Sequence, residues 1–261
     1  MLEVKDSVAV ITGGSGGIGM ALARYWVKKQ GKVVLADVVP EALEKAKEEL
    51  GGSIVTIPCD VTNEEDCGRL ADKAINAFGQ INLVAPFAGI IMDGLMLSTD
   101  RETGKVKKKM SLKQFQNVVD INLTGVFLTV RECTERMVNN NCKGLVCLIS
   151  STGALGTAGQ INYSSTKAAM SVMPKVITAE FFRRGLSGKI RCVAVAPGYV
   201  GTPMVKNMDQ KALENILHEV PIGRLIEPEE VADLVGAIYQ NEALAGDTYF
   251  IHGGLRLGSR G

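Results

Sequence analysis

Tyr163 and Lys167 stand four residues apart within a helical pattern, so both side chains fall on one face of one helix. A free phenol ionises near pH ~10 and is a poor base at neutrality, but a neighbouring ammonium favours the phenolate and lowers that value. The two residues therefore form a candidate tuned acid/base. Spacing alone does not select them, because Tyr25 and Lys29 repeat it. Ser150 separates the two pairs. It follows an apolar run at 145–149 and precedes Tyr163 by thirteen residues across a glycine-containing loop, where its hydroxyl is placed to bind a substrate carbonyl oxygen. Nothing comparable accompanies Tyr25, which reads as packing and surface.

A second group of residues suits a phosphate ligand. Residues 12–19 read TGGSGGIG between an apolar run and an amphipathic segment. A helix start offers unpaired N–H groups and a positive dipole end, and glycines let the backbone approach a pyrophosphate closely. Gly13, Ser15, Gly17, Ile18 and Gly19 are thus expected cofactor contacts, with a ligand-free βα turn as the alternative. Asp37 stands 18 residues beyond Gly19, at the end of the next apolar run. A carboxylate there accepts hydrogen bonds from ribose hydroxyls and repels a 2′-phosphate, and no Lys or Arg precedes Gly17 to offset it. NAD is the expected cofactor. Asp60 and Val61 are placed to border the adenine, although Asp60 would serve equally as a helix cap.

These residues need a scaffold that gathers loops at one edge. Apolar runs at 7–12, 32–36, Ile54–Pro58, 81–85, 145–149, 190–195 and Thr248–Ile251 read as buried strands. Helical patterns alternate with them at 17–29, Pro40–Leu50, 63–78, 111–140 and 163–185, the third after a Thr62/Asn63 cap signal. Such alternation implies a Rossmann-like α/β domain, a doubly wound parallel sheet with helices on both faces. Residues 98–109, STDRETGKVKKK, interrupt it with a polar, basic stretch whose Thr103-Gly104 is placed to turn between two short arms.

Length and composition restrict the rest. The chain of 261 residues reads as one domain over 1–261. Its 29 Lys plus Arg against 28 Asp plus Glu create no general field for nucleic acid or membrane. No apolar run reaches the ~18 residues of a membrane span, and no signal-peptide layout is visible. Six cysteines without paired spacing read as free thiols in a reducing cytoplasm, and no metal site is expected. His218 and His252 lie too far apart to suggest a histidine-based metal site or triad.

With these pieces in order, the chain resembles the short-chain dehydrogenase/reductase family over essentially its whole length. The matching residues are the 12–19 string, Asp60-Val61, Asn122-Leu123-Thr124-Gly125, Ser150, Tyr163-x-x-x-Lys167 and 197–203, PGYVGTP. The resemblance implies about seven strands and a tetrad of Asn122, Ser150, Tyr163 and Lys167. In that scheme Ser150 orients the carbonyl and Tyr163 transfers the proton. Lys167 lowers the phenol and holds the nicotinamide ribose, and Asn122 helps to hold a relay water. Ala88, Gly89, Pro197, Gly198, Val200 and Thr202 join the cofactor site. A homotetramer is implied, with the helices at 111–140 and 163–185 burying apolar faces between subunits.

Two departures stand out. Pro86-Phe87 replaces the family's Asn-Asn before Ala88-Gly89, and proline has no N–H to donate. The stretch from Gly89 to Asn122 is also about ten residues longer than in bacterial 3-oxoacyl reductases of the family, which places an insertion near 98–109. The expected activity is hydride transfer between NAD and a ketone or secondary alcohol, with a 3-oxoacyl or 3-hydroxyacyl thioester as first candidate. A polyol, a steroid or another non-acyl alcohol remains open, as do a catalytically silent dinucleotide-binding protein and an epimerase or dehydratase. Met204, Val205, Met208 and Ile216 are placed either to line an apolar substrate pocket or to pack a helix.

Overall fold

A computed structural model describes residues 1–202, 205 and 210–255. The central sheet has seven parallel strands: β1 (Val8–Thr12), β2 (Lys32–Asp37), β3 (Ile54–Pro58), β4 (Leu83–Pro86), β7 (Gly144–Ile149), β8 (Ile190–Pro197) and β9 (Thr248–Ile251). A separate antiparallel hairpin supplies β5 (Leu97–Thr99) and β6 (Val106–Lys109). The sheet order is β3-β2-β1-β4-β7-β8-β9, so the winding reverses between β1 and β4. That reversal opens a crevice beyond the carboxyl ends of these strands, where ligands bind in open sheets of this kind.

The helices are α1 (Gly17–Lys28), α2 (Pro40–Leu50), α3 (Glu64–Phe78), α4 (Leu112–Val119), α5 (Gly125–Asn139), α6 (Ile161–Arg183), α7 (Gln210–Glu219) and α8 (Pro228–Gln240). They cover both faces because the strands alternate their apolar side chains. Ala9 and Ile11 pack into a core with Trp26 and Tyr239, while Val8 and Val10 pack into another with Leu70 and Met137. Asn63 caps α3 by accepting from the N–H groups of Glu65 and Asp66.

The helix expected over 111–140 is not uniform. A π-helical turn at Asp120–Thr124 joins α4 to α5, and Asn122 sits within it. Such single turns are frequent at functional sites. Pro86 is tolerated as the last residue of β4, in register with Thr12. The strands are tied elsewhere: Asn82 accepts from the Val8 N–H at 2.8 Å and donates to the Lys143 carbonyl at 2.9 Å, while Ala88 N–H donates to the Thr12 hydroxyl at 3.3 Å. All six cysteines are buried free thiols. Among the described residues no helix is long and apolar enough to cross a membrane, and no group of side chains could hold a metal ion.

Candidate active site

The glycine string leaves β1 and enters α1 through a turn that side chains would block. Gly13 has φ +63°, and a Cβ there would lie 2.7 Å from the Ala88 backbone. A Cβ on Gly19 would lie 2.4 Å from the Gly13 carbonyl oxygen. Residues 13–19 thereby form one wall of a cavity of about 540 Å³, closed by Asp37, Asp60, Val61, Ala88, Gly89 and Thr202. Asp37 is fixed from below: its Oδ2 accepts from the Ser15 hydroxyl at 2.5 Å and the Ser15 N–H at 3.2 Å. Among the described residues no Lys or Arg lines this cavity. Thr202 arrives from the loop after β8, so close that a Cβ on Gly17 would lie 2.9 Å from its Cγ2. Asp60 spends its carboxylate on Thr62, accepting from that residue's N–H and hydroxyl, and the helix cap falls to Asn63.

A second cavity, of about 330 Å³, shares Ile18, Phe87, Gly89, Ile90, Ile149 and Thr202 with the first and continues it. Ser150, Ser151, Tyr163, Lys167, Pro197, Gly198 and Val200 also line it. Tyr163 and Lys167 share a face of α6, with Lys167 Nζ 5.6 Å from the centre of the phenol ring. The ammonium is buried and donates to the Ile149 carbonyl at 2.9 Å, and burial lowers its pKa to about 8. Asn122 is fully buried and does not point its amide into the cavity. Its Oδ1 accepts from the Ile90 N–H at 2.8 Å, and its Nδ2 donates to the Ile90 carbonyl at 2.9 Å.

Two features of the geometry bear on the expected roles. The first is Ser150. Its hydroxyl is buried, donates to the Lys167 carbonyl at 2.8 Å and lies 3.0 Å from the Ser171 hydroxyl. It therefore braces the end of β7 against α6. The next residue, Ser151, also lines the cavity, and its hydroxyl accepts from the Gly153 N–H at 3.0 Å. The second is the phenol itself. Burial pushes Tyr163 above its ordinary value, the Ser151 hydroxyl pulls it down, and the Asp93 carboxylate adds an upward push. The Lys167 ammonium, committed to Ile149, does not dominate.

Several lining residues escaped sequence reasoning. Phe87, Ile91, Thr157 and Gln160 all face the second cavity. Gln160 Nε2 donates to Asp93 Oδ2 at 3.1 Å, which ties the loop before α6 to the segment after β4. Val205 lines the same cavity, whereas Pro203, Met204 and Met208 lie outside the described residues, as does the side chain of Ile216. Tyr25 serves packing: a Cβ on Gly236 of α8 would lie 2.2 Å from its hydroxyl. A larger apolar groove of about 670 Å³, between α5 and α6, shares no residue with either cavity.

Known proteins match this arrangement. The family model described as short chain dehydrogenase matches residues 7–213. The chain is 33% identical to 3-hydroxyacyl-CoA dehydrogenase type-2 of Drosophila melanogaster, over 97% of this chain and 99% of that protein. It is 30% identical to the 3-oxoacyl acyl-carrier-protein reductase FabG of Rickettsia prowazekii, over 98% and 99% of the two chains. A crystal structure from Brucella melitensis, described as a short-chain dehydrogenase/reductase, glucose/ribitol dehydrogenase, superimposes with a TM-score of 0.85 at 26% identity, covering 97% of this chain and 98% of that one. The chain belongs to the short-chain dehydrogenase family. It is an oxidoreductase that moves a hydride between a nicotinamide dinucleotide and a ketone or secondary alcohol.

Proposed function

We propose that the protein is an NAD-preferring dehydrogenase/reductase of 3-hydroxyacyl and 3-oxoacyl thioesters. The observation that carries the cofactor preference is Asp37, held by Ser15 in the first cavity, which no Lys or Arg lines among the described residues. A carboxylate so placed accepts from both ribose hydroxyls of NAD and opposes the 2′-phosphate of NADP. The cradle of Gly13, Gly17 and Gly19 fits a pyrophosphate, since the backbone there has no room for side chains of its own.

Oxidised nicotinamide, when bound, supplies the hydride acceptor and a positive charge. The chain supplies the rest. A serine hydroxyl at the end of β7, that of Ser150 or of its neighbour Ser151, donates to the substrate oxygen and orients it toward Tyr163. The Tyr163 phenol gives its proton to that oxygen in reduction and, as phenolate, takes it back in oxidation. Lys167 holds the ribose and stabilises the phenolate. Asn122, through its two bonds to Ile90, fixes the π-helical turn against the wall of the cavity, where a relay water would sit. Ala88, Gly89, Pro197, Gly198, Val200 and Thr202 frame the nicotinamide end.

The thioester reading draws on the two acyl-handling relatives and on the second cavity, whose Phe87, Ile90, Ile91 and Val205 suit an acyl chain better than a polyol. Assembly as a homotetramer would cover the groove between α5 and α6, where Phe127, Val172 and Val176 are about half exposed. The six free thiols suit a cytoplasmic setting. The test is to follow NADH and NADPH formation over a panel of hydroxyacyl thioesters, polyols, steroids and simple alcohols, with wild type and Asp37→Ala. Thioesters should be the best substrates and NAD the better cofactor, and the variant should narrow the NAD/NADP gap. Faster turnover with NADP in the wild type would sink the Asp37 assignment.

A further inference from the structure

The hairpin of β5 and β6 has no place in the chemistry described so far. It is closed at its base by a bond from Met110 N–H to the Met96 carbonyl at 3.1 Å. Asp100 accepts from the Glu102 and Thr103 N–H groups and organises the tip. Arg101, Lys105, Lys107, Lys108 and Lys109 project from it, and among the described residues none of the five forms an ion pair. Every residue of β6 is exposed. Leu95, Met96, Leu97 and Val106 are between 47% and 58% exposed, so the hairpin presents apolar as well as cationic surface.

The root of this arm is built into the wall of the substrate cavity. Gly94 N–H donates to the Gly159 carbonyl at 2.8 Å, and Gln160 reaches Asp93 at 3.1 Å. Asn162, one residue before the catalytic tyrosine, donates to the Met92 carbonyl at 3.0 Å. Ile91 and Gln160 both line the cavity. A substrate whose carbonyl reaches Tyr163 and whose tail leaves past these residues therefore runs along the hairpin. Lys107, Lys108 and Lys109 lie within three residues of the base, or ~10 Å at ~3.3 Å per residue.

Building on the thioester reading above, we infer that the hairpin is a recognition arm for the phosphorylated nucleotide end of a coenzyme A thioester. A diphosphate and a 3′-phosphate joined by an adenosine need several cations close together and an apolar surface for the base and the pantetheine. Four lysines within five residues, with Val106 among them and Leu95, Met96 and Leu97 on the opposite arm, provide that. An acidic carrier protein would need cations dispersed over ~800 Å² of surface instead. Lysines that only guard an exposed strand edge against pairing with other chains would have no reason to be rooted in the catalytic wall.

The test compares 3-oxoacyl thioesters of coenzyme A and of N-acetylcysteamine, which lacks the phosphates, with that of acyl carrier protein as a third arm, in wild type and in the quadruple variant K105Q/K107Q/K108Q/K109Q. The wild type should favour the coenzyme A thioester in KM by about tenfold at low salt, a preference that shrinks with ionic strength because exposed charges are screened. The variant should bring the ratio of the two KM values close to one. An unchanged ratio overturns the inference, and so does a loss confined to acyl carrier protein substrates, which would assign the arm to a protein. Calorimetric titration of the NAD-saturated protein with free coenzyme A separates the two readings. Binding that weakens in the variant, without turnover of any thioester, keeps the arm and removes the proposed substrate. No difference in binding and none in KM removes the arm.

Discussion

Ser150 and Ser151 are adjacent, yet the structure gives them different work, and replacing each by alanine separates the two. Ser150→Ala deletes a buried hydroxyl that bonds the Lys167 carbonyl at 2.8 Å and faces Ser171. A typical internal hydrogen bond contributes about 0.5–1.5 kcal/mol net. Around 1 kcal/mol in a chain of this length lowers Tm by about 2–4 °C. Chemistry should change less, because the carbonyl it braces belongs to the backbone of Lys167 and not to its ammonium. Ser151→Ala removes the hydroxyl beside the Tyr163 phenol. Loss of one donor aimed at a developing oxyanion costs about 10²–10³ in kcat. Ser151 is half-buried and also accepts from the Gly153 N–H at 3.0 Å, so a small stability loss is expected as well. The assay is thermal unfolding of both variants beside single-turnover hydride transfer at saturating cofactor. A Ser150→Ala protein that is stable but inactive, next to a Ser151→Ala protein with near-normal turnover, would refute the assignment and restore the thirteen-residue spacing as the guide.

Tyr163→Phe should retain the fold and cofactor binding and lose about 10²–10⁴ in turnover, whereas Tyr25→Phe, packed on Gly236, should leave the chemical step unchanged. Because burial raises Tyr163, the phenolate forms late: alcohol oxidation should accelerate as pH rises above neutrality and carbonyl reduction should slow, and the Phe variant should lose both trends. Equal losses in the two phenylalanine variants would remove the case for this tyrosine. Light scattering at micromolar concentration should report a homotetramer, and Val172→Glu with Val176→Glu, placed in the groove between α5 and α6, should yield smaller species; a wild-type monomer would leave that groove without its proposed cover.

The one-dimensional pattern of the chain was enough to determine its architecture. The buried parallel strands are largely apolar runs and most helices carry an amphipathic period, so the βα alternation and the three matching bounds at Pro40–Leu50, Ile54–Pro58 and Thr248–Ile251 needed no knowledge of contacts. The glycine string and Asp37 were legible for a similar reason: a phosphate turn is local, and a carboxylate at the end of the next parallel strand is brought beside it by the sheet. Helix α8 went unread although Glu227, Pro228 and Glu230 signal its start through a capping box and a first-turn proline. Spacing counts residues but does not track what a side chain touches where a strand gives way to a loop, so the bond from Ser150 to the Lys167 carbonyl appeared only with the packing of β7 against α6. The π-helical turn at Asn122 arises from its two bonds to Ile90, 32 residues away in the chain. The height of the Tyr163 phenol follows from how deeply α6 buries it. Such quantities depend on neighbours far apart in sequence, and they exist only once the chain has closed on itself.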